Sequence, residues 1–150
     1  MNIIIGNDHG AVDLKNSIIS HLQSKGYTVK NMGVDSTDSV DYPDIAEITC
    51  TEYKKGGYDF GILCCGTGIG ISIAANKIKG IRCALPQNIF ASKMAKAHNN
   101  VQFLAFGGRI DYPESVNDMI DEFIRTEFEG SRHGIRVDKI MDIELSNDNC

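Results

Sequence analysis

The sequence predicts an α/β fold in which a five-stranded parallel sheet is covered by helices on both faces. Three observations predict it. Short apolar runs alternate with segments of helical spacing along the chain,. The runs read as strands buried on both faces, which is the mark of a parallel sheet. A glycine-rich turn, Cys65-Gly66-Thr67-Gly68-Ile69-Gly70, leads from one such run straight into a helical pattern. With 150 residues and a hydrophobic fraction of 42%, the chain fits a single domain, 1–150, with a sizeable core,.

The first strand is expected over 2–6, and Asn7-Asp8-His9-Gly10 follows it. A first helix carries Leu14, Ile18, Ile19 and Leu22 on one face. The second strand falls at 28–32 and the second helix at 43–55, with Pro43 in its first turn, where a missing N–H breaks no hydrogen bond,. The third strand, 60–64, runs into the glycine turn and the third helix. A fourth strand at 81–84 precedes a fourth helix at 90–97, which ends at His98-Asn99-Asn100. The fifth strand, 102–106, leads to a helix beginning near Pro113 that carries Val116, Met119, Ile120, Phe123 and Ile124. Glu129-Gly130-Ser131 interrupts the pattern. Beyond Arg132 and Arg136, Val137, Ile140, Met141 and Leu145 mark a short terminal amphipathic helix. Its stripe must be buried, and the expected outlet is a second subunit, with residues 130–150 packing on the partner.

Composition excludes several classes. A net charge of −5 argues against nucleic acid as the main partner,. No run approaches the ~18 apolar residues of a membrane span, and the start of the chain does not read as a signal peptide. Five cysteines, an odd count without framework spacing and without a C-x-x-C pair, argue against a structural metal and fit a reducing cytoplasm,. Cys64 and Cys65 are adjacent in a strand, so they point to opposite faces.

At the glycine turn, free backbone N–H groups and the positive end of a helix meet a thiol, which suits an anionic ligand beside a reactive sulfur. His9, Cys65 and Arg109 each fall just after a strand, where ligands of such sheets bind. Asp8 fits a helix cap equally well, and His98 also fits a cation complementing a helix C-terminus. His21 reads as a solvated surface residue. Arg132 and Arg136, four apart, form a basic cluster in an acidic chain and suit a phosphate if helical. Other phosphate motifs fail on spacing: no P-loop run exists, and both a dinucleotide fingerprint and a C-x5-R loop founder on Ile71,.

Seven segments in register identify a resemblance: Asn7-Asp8-His9-Gly10, Asp41-Tyr42-Pro43-Asp44, Cys65 to Ser72, Ala74-Ala75-Asn76-Lys77, His98-Asn99, Leu104 to Arg109, and Glu129-Gly130-Ser131-Arg132-His133. Together they resemble type B ribose-5-phosphate isomerase and the wider group that includes galactose-6-phosphate isomerase subunits. The resemblance implies a three-layer, Rossmann-like α/β/α sandwich working as a homodimer, in some members paired into a tetramer. It implies interconversion of ribose 5-phosphate and ribulose 5-phosphate without metal or cofactor, on a small-molecule sugar phosphate. Carried over, it makes Cys65 the base that moves a proton between C1 and C2, and His98 the residue that assists ring opening. Asp8, His9 and Asn99 hold the sugar. Gly66, Thr67, Gly68, Ile69 and Gly70 stabilise the enediolate, and Arg109, Arg132 and Arg136 serve substrate or phosphate. Asn100 stands where the family usually has an acid, and Cys64 where it usually has an aliphatic residue. Two alternatives stay open: an isomerase of a six-carbon sugar phosphate such as allose 6-phosphate or galactose 6-phosphate, and a noncatalytic sugar-phosphate-binding regulator.

Overall fold

The computed structural model describes residues 1–147; Cys150 lies outside them. Five parallel strands form one sheet in the order β2-β1-β3-β5-β4: β1 (Asn2–Asn7), β2 (Thr28–Asn31), β3 (Phe60–Cys65), β4 (Cys83–Ala84) and β5 (Phe103–Gly107). The helices are α1 (Val12–Ser24), α2 (Tyr42–Lys54), α3 (Ile69–Ala75), α4 (Ile89–Ala97), α5 (Val116–Arg125) and α6 (Arg132–Asn147). The expected α/β/α sandwich is therefore present, with strand and helix ends shifted by a few residues. The edge strand β4 is the largest departure, two residues long where four were expected.

Alternation of side chains across β1 and β3 divides the core in two. Ile3, Ile5, Ile62 and Cys64 face α1, α4 and α5, where Ile18, Leu22, Ala95, Met119, Ile120 and Phe123 close over them. Ile4, Leu63 and Cys65 face α2 and α3, with Ile45, Ala46, Cys50, Ile71 and Ala75. Ile3, Ile4 and Ile5 are fully buried, and each such side chain contributes about 1.5–3 kcal/mol on burial. Cys64 and Cys65 thus do part to opposite faces. Among the described residues, no helix is long and apolar enough to cross a membrane.

Two readings change. His21 is not a solvated bystander: its Nε2 lies 2.9 Å from Asp121 Oδ1, tying α1 to α5. The terminal helix begins at Arg132 itself, so Arg132 and Arg136 lie within its first two turns rather than before it. It spans 16 residues. Part of it rests on its own chain, since Val137 is buried and Glu144 accepts the Gly80 N–H at 3.0 Å. Ile135, Ile140, Ile143 and Leu145 remain exposed along it.

Candidate active site

All five strands run the same way, so their following loops gather on one edge. The sheet changes winding direction between β1 and β3, and the loops after these two strands meet there,. A single 3₁₀ turn, His9–Ala11, follows β1. Asp8 caps it, with Oδ1 accepting the Gly10 N–H at 2.8 Å. His9 Nδ1 accepts the Val40 N–H at 3.2 Å, which leaves the proton of a neutral His9 on Nε2,. The loop after β5 continues the ladder beyond the strands: Gly108 N–H donates to Cys65 C=O at 2.8 Å and Arg109 N–H to Gly66 C=O at 2.9 Å.

Cys65 ends β3 and is 3% exposed. Its Sγ accepts the Gly68 N–H at 3.1 Å, so the turn already aims a backbone donor at the sulfur. Thr67 Oγ1 accepts the Ile69 N–H at 3.3 Å, bracing the start of α3. Gly68 has φ +77°, and a Cβ there would stand 2.6 Å from Leu85 Cδ1 and 2.8 Å from the Phe106 carbonyl carbon. A Cβ on Gly70 would enter the Tyr42 ring. Gly68 is required by space, since backbone atoms stand in the way, and by backbone conformation, whereas at Gly70 the exposed Tyr42 ring would have to move,. Gly68→Ala is expected to cost about 1–3 kcal/mol and to pull the N–H off the sulfur. Urea unfolding checks this: an unchanged midpoint would mean the turn accommodates a side chain.

The other described cysteines, Cys50, Cys64 and Cys83, are held as thiols. Burial pushes the Cys50 thiol up to about 12 and raises Cys64 and Cys83 further. Cys64, fully buried in the α1, α4 and α5 half of the core, is a small hydrophobe there,.

The other candidate residues gather elsewhere. Helix α4 carries the chain back from the carboxyl edge of the sheet to the amino edge, and His98 caps its C-terminus. Arg82, at the amino-edge entry to β4, donates from Nε to Asn99 C=O at 3.1 Å and from Nη2 to Asn100 C=O at 2.5 Å. The His98 ring stacks on His133 with centroids 3.9 Å apart and planes 7° off parallel. Glu129 Oε2 lies 3.6 Å from His98 Nε2 and 3.5 Å from His133 Nε2. Arg132 Nε stands 3.4 Å from His133 Nε2. Burial, followed by the neighbouring His98 and Arg132, holds His133 below the usual histidine range, while Glu129 opposes them.

Asp8, His9, Cys65, the 66–70 loop and Arg109 therefore form one half-site at the carboxyl edge. His98, Asn99, Arg132 and Arg136 form another at the amino edge. The five residues of β5 separate the two edges by about 16 Å along the strand,. One chain does not bring His98 to Cys65. The alternation of strand and helix already contains this: a helix that follows a strand returns the chain to the opposite edge. Sequence reasoning also gave no role to Arg82, Glu129 or His133. His98, Glu129 and His133 each offer a ligand atom within 4.8 Å of the others. Parallel rings send their in-plane lone pairs side by side rather than to a common point, and the Arg132 cation is adjacent. The cluster suits a proton better than a metal ion.

Comparison with known proteins agrees with this architecture. A family model described as Ribose/Galactose Isomerase matches residues 3–140. The chain is 41% identical to D-erythrulose-4-phosphate isomerase of Pectobacterium atrosepticum over 141 residues, covering 93% of each. It is 39% identical to ribose-5-phosphate isomerase B of Escherichia coli over 142 residues, covering 95% of each. A solved structure of Clostridium thermocellum ribose-5-phosphate isomerase B superposes with a TM-score of 0.94 at 43% identity, covering 98% of this chain and 99% of that one.

Proposed function

The chain belongs to the ribose/galactose isomerase family, and on that premise we propose that this sugar-phosphate isomerase interconverts ribose 5-phosphate and ribulose 5-phosphate through a cis-enediolate. The observation that carries the reading is the Cys65 sulfur at the β1/β3 switch point, facing the Gly68 N–H. Aldose–ketose isomerisation removes a weakly acidic proton α to a carbonyl and returns it to the adjacent carbon. Cys65 is the base that carries it between C2 and C1. The negative charge that develops on the sugar oxygen needs preorganised donors, and the N–H groups of the 66–70 loop supply them. Asp8 and His9 hold the sugar beside the sulfur, and Arg109 lies at the same edge.

The second half-site supplies ring opening and the phosphate handle. His98 moves a proton at the furanose, Asn99 binds a sugar oxygen, and Arg132 and Arg136, on one side of α6, bind phosphate. Because these residues lie at the opposite edge, the working unit is a homodimer in which the carboxyl edge of one subunit meets the amino-edge cluster of the other. Exposed Ile69 and Ile73 beside the thiol turn, and Ile135, Ile140 and Ile143 on α6, give that contact its apolar surface,. The protein is a single domain acting in the cytoplasm.

The test is a side-by-side assay of the purified chain with ribose 5-phosphate, allose 6-phosphate, galactose 6-phosphate and erythrulose 4-phosphate. The last is included because one relative bears that name. The expected result is the highest kcat/KM on ribose 5-phosphate. A preference of tenfold or more for another sugar would replace the substrate, and no turnover of any would return the chain to a binding role.

A further inference from the structure

Position 100, next to the proposed ring-opening histidine, is Asn100, with φ +43°. It supplies no acid to orient His98. The structure brings a carboxylate from elsewhere. Glu129 N–H donates to Ala97 C=O at 3.0 Å, which fixes the segment before α6 against the last turn of α4. Gly130 and Ser131 then take φ +61° and +49°, turning the chain sharply into α6. That turn sets the Glu129 carboxylate at the Nε2 edge of His98 and places His133, 4% exposed, flat beneath the ring. A non-glycine residue in the left-handed region is strained, so the Ser131 geometry is held by its surroundings. His98 Nδ1 makes no hydrogen bond among the described residues, while Nε2 faces the carboxylate.

We infer that Glu129 is a positioning residue for His98, holding the imidazole against the His133 platform by its Nε2 edge and stabilising the positive charge that the ring gains when it takes a proton from the sugar. The role rests on the isomerase reading above. It matters at one step. When the furanose opens, the anomeric O1 gives up its proton, the C1–O4 bond breaks as C1=O1 forms, and a proton returns to O4. His98 carries a proton between the two oxygens, so it is transiently an imidazolium, and a carboxylate on its far nitrogen favours that state. The distances of 3.5 and 3.6 Å are longer than hydrogen bonds,. Such contacts often tighten only when substrate is bound. The charged groups around His133 are His98 from α4, Glu129 from the connecting segment, and Arg132 and Arg136 from its own helix. A proton taken up by His98 adds a positive charge beside His133, Arg132 and Arg136, and Glu129 is the carboxylate placed to offset it,.

The role separates two kinds of substrate. Ribose 5-phosphate closes to a furanose and must be opened. Erythrose 4-phosphate cannot close that ring, because its O4 carries the phosphate. Glu129→Gln and Glu129→Ala are therefore expected to lower kcat on ribose 5-phosphate about tenfold, with KM little changed. The loss on erythrose 4-phosphate should be at least fivefold smaller, and Glu129→Asp should restore part of the difference. Equal losses on both sugars would overturn the role. Imidazole NMR supplies an arm independent of turnover: the His133 titration should move to lower pH in Glu129→Gln, because the substitution removes the group that raises it. An unmoved His133 titration would also overturn the role. A wild-type chain that turned over neither sugar would instead defeat the isomerase reading, and the titration would still decide whether Glu129 acts on the histidine pair.

Discussion

Cys65→Ala is expected to lower isomerisation of ribose 5-phosphate by about 10²–10⁴-fold, the usual contribution of a positioned base, while leaving the fold in place. The sulfur fills little volume. It sits at the end of β3 against the α2–α3 half of the core, and its loss costs about 1 kcal/mol or less. KM should change little, because the proposed reading assigns sugar and phosphate binding to other residues, which the substitution leaves in place. Cys65→Ser should be nearly as damaging, since a hydroxyl is a far weaker acid than a thiol and does not deliver an equivalent base. Rate and circular dichroism measured on the same preparation check both points. Retention of more than a tenth of wild-type kcat with the fold intact would falsify the assignment of Cys65. Alkylation gives a second readout. Inactivation by iodoacetamide should track modification at Cys65, mapped by peptide mass spectrometry against Cys50, Cys64, Cys83 and Cys150. Bound substrate should slow it.

Two inactive variants should restore each other when mixed. Cys65→Ala damages only the carboxyl-edge half-site, and the Arg132→Ala/Arg136→Ala double variant damages only the amino-edge half. If each active site joins one subunit's carboxyl edge to its partner's amino-edge cluster, a mixed dimer contains one site with every part intact and one with both parts broken. At equal concentrations and random exchange, half of all dimers are mixed, so about a quarter of wild-type activity should return. Cys65→Ala mixed with His98→Asn should behave the same way, because His98 stacks on His133 of the helix that carries the arginines. His98→Asn mixed with the double arginine variant should recover nothing, since both lesions fall in one half-site. Native mass spectrometry establishes that subunits have exchanged. Exchange without recovery in the first two mixtures would place both half-sites in the service of a single chain and require a rearrangement that the fold does not suggest.

The sequence by itself determined the order of strands and helices, the burial of the sheet on both faces, and the common edge of His9, Cys65 and Arg109. Each follows from local pattern. Parallel strands put every strand-to-helix loop on one side, so a residue's place just after a strand fixes its edge. The Cys65 turn was legible for the same reason: its glycines, thiol and helix start are contiguous, and contiguous residues keep their geometry in any packing. The tertiary structure decided what depended on residues far apart in the chain. Glu129 and His133 lie more than thirty positions from His98, and only the packing of the segment before α6 on the end of α4 brings them together. The start of α6 was misread because Arg132, Gly134 and Arg136 weaken its apolar pattern, whereas burial of His133 and Val137 carries the helix through them. His21 was misread because its partner, Asp121, is a hundred residues away. The division of the site between two edges of the sheet came from the direction of α4, which the apolar spacing of a helix does not reveal but its connection between two parallel strands does.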